Sequence, residues 1–269
     1  MNNYHTHTWR CRHAAGTDED YVCMAIDEGF KKLGFSDHTC WNYRYAPFQQ
    51  VRMELKDFSG YKRSIEELQK RFEGQIELLI GLEAEYFPDH MDWLLDFAVE
   101  QDLDYLIFGN HFLGDDDLNS IWSGEISKTQ LSAYVDRCIE GMELGIFSYL
   151  CHPDLPMFSG RFEWDEEVEK EFERLCLAAK RLNIPLEYNG NGLLRNFEMN
   201  HEGYPHHKFW QLASRMNNKA IIGLDAHSPA NLHRDLYEKC QSNLQELGIE
   251  IIDDLPLIDF QAIKAKRAG

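Results

Sequence analysis

The chain has 269 residues, with 27 basic against 46 acidic side chains and a formal net charge of −19. That balance, with no basic stripe, argues against long nucleic acids and anionic membranes as partners. It leaves a small anionic substrate open, because bound cations would dominate the local field. Hydrophobic content of 43% suffices for a packed core. No apolar run approaches the ~20 residues of a membrane-spanning helix. Without a linker or low-complexity stretch, residues 1–269 read as a single domain. The seven cysteines (Cys11, Cys23, Cys40, Cys138, Cys151, Cys176 and Cys240) are odd in number and irregularly spaced. With no leader ahead of the first strand, they read as reduced thiols in a cytoplasmic protein.

A short extended segment ending in His5-Thr6-His7-Thr8 opens the chain. Two histidines at i and i+2 of a strand face one side and can share a metal ion. A loop with His13 follows. Thr17 caps a helix running to about residue 31, with acids in its first turn and Gly29 near its end. A strand over 32–36 leads into Asp37-His38. Residues 39–56 are aromatic and irregular, a long loop of the kind that forms lids. A helix over 58–72 precedes a strand over 76–80, which leads into Gly81-Leu82-Glu83-Ala84-Glu85.

Pro88 starts a helix to about residue 100. A strand over 105–108 ends in Gly109-Asn110-His111, and an acidic loop occupies 115–117. A helix over 128–144 and a strand over 147–150 lead to Cys151-His152-Pro153-Asp154. A loop with Arg161 precedes a helix over 165–182. A strand over 185–188 opens into Asn189-Gly190-Asn191-Gly192, with Arg195 beyond. A helix over 205–216 and a strand over 220–224 end in Asp225-Ala226-His227. Pro229 starts another helix, and an apolar run over 249–252 precedes a C-terminal tail.

Strands alternating with helices imply parallel β/α units. Nearly every strand ends in His, Asp, Glu or Asn. In a β/α barrel those C-terminal ends converge on one face, where chemistry occurs; an open sheet would spread them along a crevice. The expected fold class is therefore α/β, a TIM-like barrel. The candidate ligands are His5, His7, His13, His38, Glu83, His111, His152, Asp225 and His227. His90, His201, His206, His207 and His233 fall elsewhere. A catalytic zinc takes about three protein ligands, so this set suits two or three ions with a bridging carboxylate. Nitrogen and oxygen donors suit zinc, manganese or iron.

The motifs His5-Thr6-His7 with His13, Ser36-Asp37-His38, Gly81-Leu82-Glu83, Asn110-His111, Cys151-His152-Pro153 and Gly223-Leu224-Asp225-Ala226-His227 resemble those of the polymerase-and-histidinol-phosphatase (PHP) family. The resemblance spans residues 5 to about 230. It implies a distorted seven-stranded (β/α) barrel with a trinuclear metal centre; by the donor set above we expect its three divalent ions to be zinc first, with Mn2+ or Fe2+ as alternatives. It implies His5, His7, Glu83 and Asp225 at one ion; Glu83, His111 and His152 at a second; and His13, His38 and His227 at a third. Residues 186–195, followed by Tyr204-Pro205, resemble the stand-alone histidinol-phosphate phosphatases, which usually carry Thr or Ser where Gly190-Asn191 stands here. The activity so implied is hydrolysis of L-histidinol phosphate to L-histidinol and phosphate, in histidine biosynthesis.

For that chemistry we expect a hydroxide bridging the first two ions as nucleophile, with Glu83 shared by the same two ions as the resemblance implies. Arg161 and Arg195 are the phosphate candidates, since a guanidinium fork matches phosphate. Asp154 is a proton donor to the leaving group or an orienter of a ligand histidine, and Asp37 shares that ambiguity. Asp18, Glu85 and the acids at 115–117 could read a cationic leaving group. Asn189 is a further substrate contact, and aromatics of 41–48 could cover the site. Two other readings remain: a phosphodiesterase or nucleotide phosphatase on the same metal centre, and a non-catalytic metal-dependent module.

Overall fold

The computed structural model describes residues 1–42, 48–114 and 120–268. Short apolar runs separated by amphipathic stretches fold as parallel strands crossed by helices. Strands β1 (Asn2–Asn3), β2 (Lys32–Phe35), β3 (Glu77–Ala84) and β4 (Tyr105–Phe108) pair in that order, all parallel. A short antiparallel pair follows, β5 (Phe112–Leu113) with β6 (Ile121–Trp122). A second parallel sheet holds β7 (Leu186–Asn189), β8 (Lys219–Gly223) and β9 (Glu250–Ile251). Leu150 links the two sheets through parallel bridges to Phe108 and Leu186, and Thr6 bridges Ala226 at the other side. The result is an α/β fold on a curled parallel sheet.

The helices are α1 (Asp18–Asp27), α2 (Phe58–Arg71), α3 (Met91–Glu100), α4 (Leu131–Glu143), α5 (Glu166–Leu182), α6 (Gly190–Met199), α7 (His207–Arg215), α8 (Arg234–Glu246) and α9 (Phe260–Ala268). Thr17 caps α1 in a capping box with Asp20, as its sequence predicts. Asp165 caps α5 by accepting from the backbone of Glu167 and Val168.

Several expectations shift. The first histidines do not lie in a regular strand, because the Thr6 amide donates to the Ser36 side chain rather than to a neighbouring carbonyl. The stretch over 147–150 contributes bridges rather than a strand. β3 runs through Glu83, which therefore sits within the strand. The stretch after residue 189 is helical, since Asn189 caps α6 by accepting from the Gly192 amide, 2.8 Å away. Its two glycines hid this helix in the sequence. The C-terminal tail carries α9, and the run near residue 250 pairs with β8.

The two faces of the sheet are read by alternation. Tyr105 and Ile107, Tyr149 and Cys151, with Tyr4 and Ile221, pack together on the inner face. Leu106, Phe108, Leu150, Ala220 and Ile222 pack outward into the large helix-covered cluster. Tyr105 lies fully buried across the inner face and donates to the Tyr4 carbonyl at 2.8 Å. Its ring leaves no room beside it: a Cβ at Gly81 would stand 2.5 Å from it, and one at Gly34 would stand 2.3 Å from its hydroxyl.

Gly81→Ala should therefore destabilise the fold by about 1–3 kcal/mol through overpacking. Tyr105→Phe should lose about 1 kcal/mol with its hydrogen bond. Urea unfolding of the two variants checks both values.

Candidate metal centre

His38 follows β2, Glu83 lies in β3, His111 follows β4, and Asp225 and His227 follow β8. His152 follows the bridging Leu150, and His5 and His7 flank the bridging Thr6. These side chains meet. Glu83 Oε1 stands 3.0 Å from His152 Nε2, 3.1 Å from His111 Nε2 and 3.5 Å from His5 Nε2. Glu83 Oε2 stands 2.9 Å from His38 Nδ1 and 3.5 Å from His7 Nε2. Asp225 Oδ1 is 3.4 Å from His5 Nε2 and 3.2 Å from His7 Nε2. His13 and His227 face each other through Nε2 at 2.9 Å, and His5 and His7 through Nε2 at 3.1 Å. Their donor atoms fall into overlapping groups, among them His5, His7 and Asp225, and His7, His38 and His227.

The opposite ring atoms show what this arrangement suits. His13 Nδ1 lies 2.8 Å from the Cys11 carbonyl, and His227 Nδ1 lies 2.9 Å from the Asp225 carbonyl. A carbonyl only accepts, so each Nδ1 carries its proton and, in the neutral ring, Nε2 carries a lone pair. Two lone pairs then face each other across 2.9 Å. His5 Nδ1 donates to Glu187 at 2.6 Å, and His111 Nδ1 to Glu85 at 3.1 Å, again turning Nε2 inward. Glu83 Oε2 and His38 Nδ1 face each other out of line for a hydrogen bond, and His7 Nδ1 is buried without a hydrogen-bond partner among the described residues. Inward lone pairs backed by outer acceptors are the donor set of a metal site. Two zinc–nitrogen bonds of ~2.0–2.1 Å accommodate such spacings.

Positive charge, whether proton or metal ion, is what the cluster stabilises: against their burial, Glu187 and Asp225 raise His5 well above its ordinary value, and Glu83 and Glu85 raise His111 to about 10. Burial pushes the Glu83 carboxyl up, but His111, His5 and His38 hold it well below the usual range. Asp225 is held down likewise, against its burial, by His5 and His227. Burial and the neighbouring His7 push His227 down to about 3. Burial opposes protonation of His7, yet Asp225 and Asp37 carry it up to about 9. Two thiols border the cluster, but burial pushes Cys11 up to about 12 and Cys151 well above its ordinary value, which keeps them protonated.

The cluster floors a cleft of about 360 Å³ whose walls include Val51, Arg52, Phe112, Trp122, Leu155, Asn191, Arg195 and Tyr204. Of the two arginines that the sequence singles out, Arg195 lines it. Arg161 does not: it is exposed and pairs with Glu125 at 3.3 Å. Asp18 is also elsewhere, gripped by Arg10 at 2.7 and 2.8 Å. Asp154 lies outside the cleft lining and accepts from the His206 amide at 2.6 Å, its carboxyl pushed up to about 7 by burial. Asp37 accepts from the Thr8 hydroxyl and stands 3.6 Å from His7 Nδ1, also outside that lining. Asn189 is buried and donates to Glu187 and Asp225. Tyr43, Tyr45 and the acids at 115–117 lie outside the described residues.

The family model described as the PHP domain matches residues 3–191. The chain belongs to that family. A curated relative from Deinococcus radiodurans, "Probable histidinol-phosphatase", is 29% identical over 234 residues, 85% of this chain and 86% of the relative. One of the same name from Schizosaccharomyces pombe is 25% identical over 271 residues, 91% and 86% of the two chains. The crystal structure of histidinol phosphate phosphatase from Lactococcus lactis, complexed with zinc, L-histidinol and phosphate, matches with a TM-score of 0.74 at 16% identity. It covers 96% of this chain and 98% of that one, a likeness of fold.

Glu85, a substrate candidate in the sequence, and Arg52, which the sequence does not single out, form a buried pair in the cleft wall. Glu85 is a wall residue whose oxygens are already engaged: Trp41 Nε1 at 2.8 Å, Arg52 at 2.8 and 3.0 Å, and His111 at 3.1 Å. Its carboxylate thus joins Trp41, Arg52 and His111 at the cleft wall. No local pattern marks Arg52, which enters from a loop. Arg52 is 1% exposed, so Arg52→Ala would take the guanidinium away from the buried Glu85 carboxylate. The loss should be about 3–5 kcal/mol, measured by chemical denaturation.

Proposed function

We propose that this chain hydrolyses L-histidinol phosphate to L-histidinol and phosphate at a divalent-metal centre in the cleft. The observation that carries this reading is the set of inward Nε2 atoms on His5, His13, His111 and His227, each backed at Nδ1 by an oxygen, beside the buried carboxylates Glu83 and Asp225. The relatives named histidinol-phosphatases supply the substrate.

In this reading His5, His7, Glu83 and Asp225 hold one ion, Glu83 with His111 and His152 a second, and His13, His38 and His227 a third. Nitrogen and oxygen donors suit zinc first, then Mn2+ or Fe2+. Bound divalent ions lower the pKa of water and neutralise phosphoryl oxygens. The protein's own groups do the rest. The Arg195 fork binds the phosphate, where its charge counts most as negative charge shifts in transfer. Phe112, Trp122, Leu155 and Tyr204 form an apolar wall that seats the leaving group and excludes water. Asp154 fixes the His206 backbone, two residues from Tyr204, and so holds that wall in place.

The parallel bridges at Leu150 and Thr6 favour a ring of seven extended segments, with the site at their C-terminal ends. One large core cluster draws on elements from α1 to α9, which favours one domain over 1–269. No helix of the described residues is long and apolar enough to cross a membrane. Unpaired cysteines fit a reducing, cytoplasmic setting, and the net charge of −19 fits a small-molecule partner rather than nucleic acid.

Elemental analysis with a phosphate-ester screen tests the reading. The purified protein should contain zinc, manganese or iron and release phosphate from L-histidinol phosphate far faster than from a nucleoside 3′,5′-bisphosphate. Equal turnover after exhaustive chelation would contradict the metal centre. Glu83→Gln should lose metal and activity together, by more than the ~10–100-fold typical of an outer-shell change. Arg195→Ala should lower kcat/KM by roughly 10–100-fold, the ~1.5–3 kcal/mol of a charged hydrogen bond.

A further inference from the structure

Glu187 is a fully buried carboxylate on β7 that has no place among the nine ligands. Its Oε1 accepts from His5 Nδ1 at 2.6 Å. Its Oε2 accepts from the backbone amide of His152 at 3.0 Å and from Asn189 Nδ2 at 2.9 Å. The same Asn189 amide group reaches Asp225 Oδ2 at 3.3 Å. One side chain thus touches or reaches three residues of the metal set.

Two of those three are strained. His152 has φ +30° and Asp225 has φ +49°, left-handed values that non-glycine residues adopt at a cost of ~1–3 kcal/mol. Such conformations persist where the surroundings over-determine them. Glu187 holds the amide of the first directly and the carboxylate of the second through Asn189. Room for it is made across the sheet. Gly223 pairs with Asn189, and a Cβ there would stand 1.9 Å from Glu187 Oε1.

We propose that Glu187 is the positioning residue of the metal centre. It fixes His5 with its proton on Nδ1 and Nε2 turned inward, and it holds His152 and Asp225 in their strained backbones, so that the cage is preformed. This rests on the metal-centre reading above and adds a determinant of metal affinity to it. Glutamine cannot replace it. If its amide oxygen accepts from His5, its NH2 group meets the donors of His152 and Asn189; turned over, it meets the His5 N–H.

The test is zinc titration of metal-free protein by calorimetry, on wild type, Glu187→Gln and Gly223→Ala, with unfolding of each metal-free form measured alongside. Both variants should bind zinc about 10–100-fold more weakly, as for outer-shell partners. Gly223→Ala acts by displacing the carboxylate while leaving its charge. In zinc-loaded wild type, nitrogen NMR should show His5 bound through Nε2, with a far-downfield Nδ1 proton that Glu187→Gln loses. A purely structural role would lower the melting temperature and leave zinc affinity intact; that result overturns the proposal while the metal centre stands. His5 bound through Nδ1 in the wild type overturns it however the variants fold. Wild type that takes up no zinc overturns the metal-centre reading itself, and this inference with it.

Discussion

The structure depends on a crowding that the protein alone does not resolve. Imidazole nitrogens and carboxylate oxygens converge on Glu83 and Asp225 at about hydrogen-bond distance, yet several of these atoms have nothing to donate. Backbone carbonyls already hold the protons of His13 and His227 on the far side. Facing lone pairs in a low-dielectric interior repel, and only cations reconcile them. The curled sheet delivers one or two donors per strand to a single place, and the outer carboxylates lock the rings before any ion arrives.

That division of labour separates two kinds of acid. Glu83 and Asp225 look inward at the imidazoles, while Glu85 and Glu187 stand behind His111 and His5. The inner pair are held ionised by the ring cluster. The outer pair are satisfied by protein donors, an arginine and an indole for one, two amides for the other. Their oxygens are therefore spoken for, and their effect on chemistry passes through the ring each one holds.

The alternation of strands and helices was legible in the sequence, and so was the convergence of the nine polar residues. Spacing and strand ends carry that information locally. What the sequence concealed depends on tertiary contacts. Arg161 and Arg195 look equivalent along the chain, but helix α6 turns one into the cleft and an exposed pairing with Glu125 keeps the other out. Asp18 follows a helix cap, and nothing local says that Arg10 folds back on it. Glu187 did leave a trace: an acid set directly between Leu186 and Tyr188 must find buried partners once that strand is covered.

Glu85 is gripped by Trp41 on one side of the 43–51 interval and by Arg52 on the other. The same carboxylate accepts from His111 as well. One buried group thus ties two separated points of the chain to a single imidazole, and a change at either Trp41 or Arg52 reaches that ring through it.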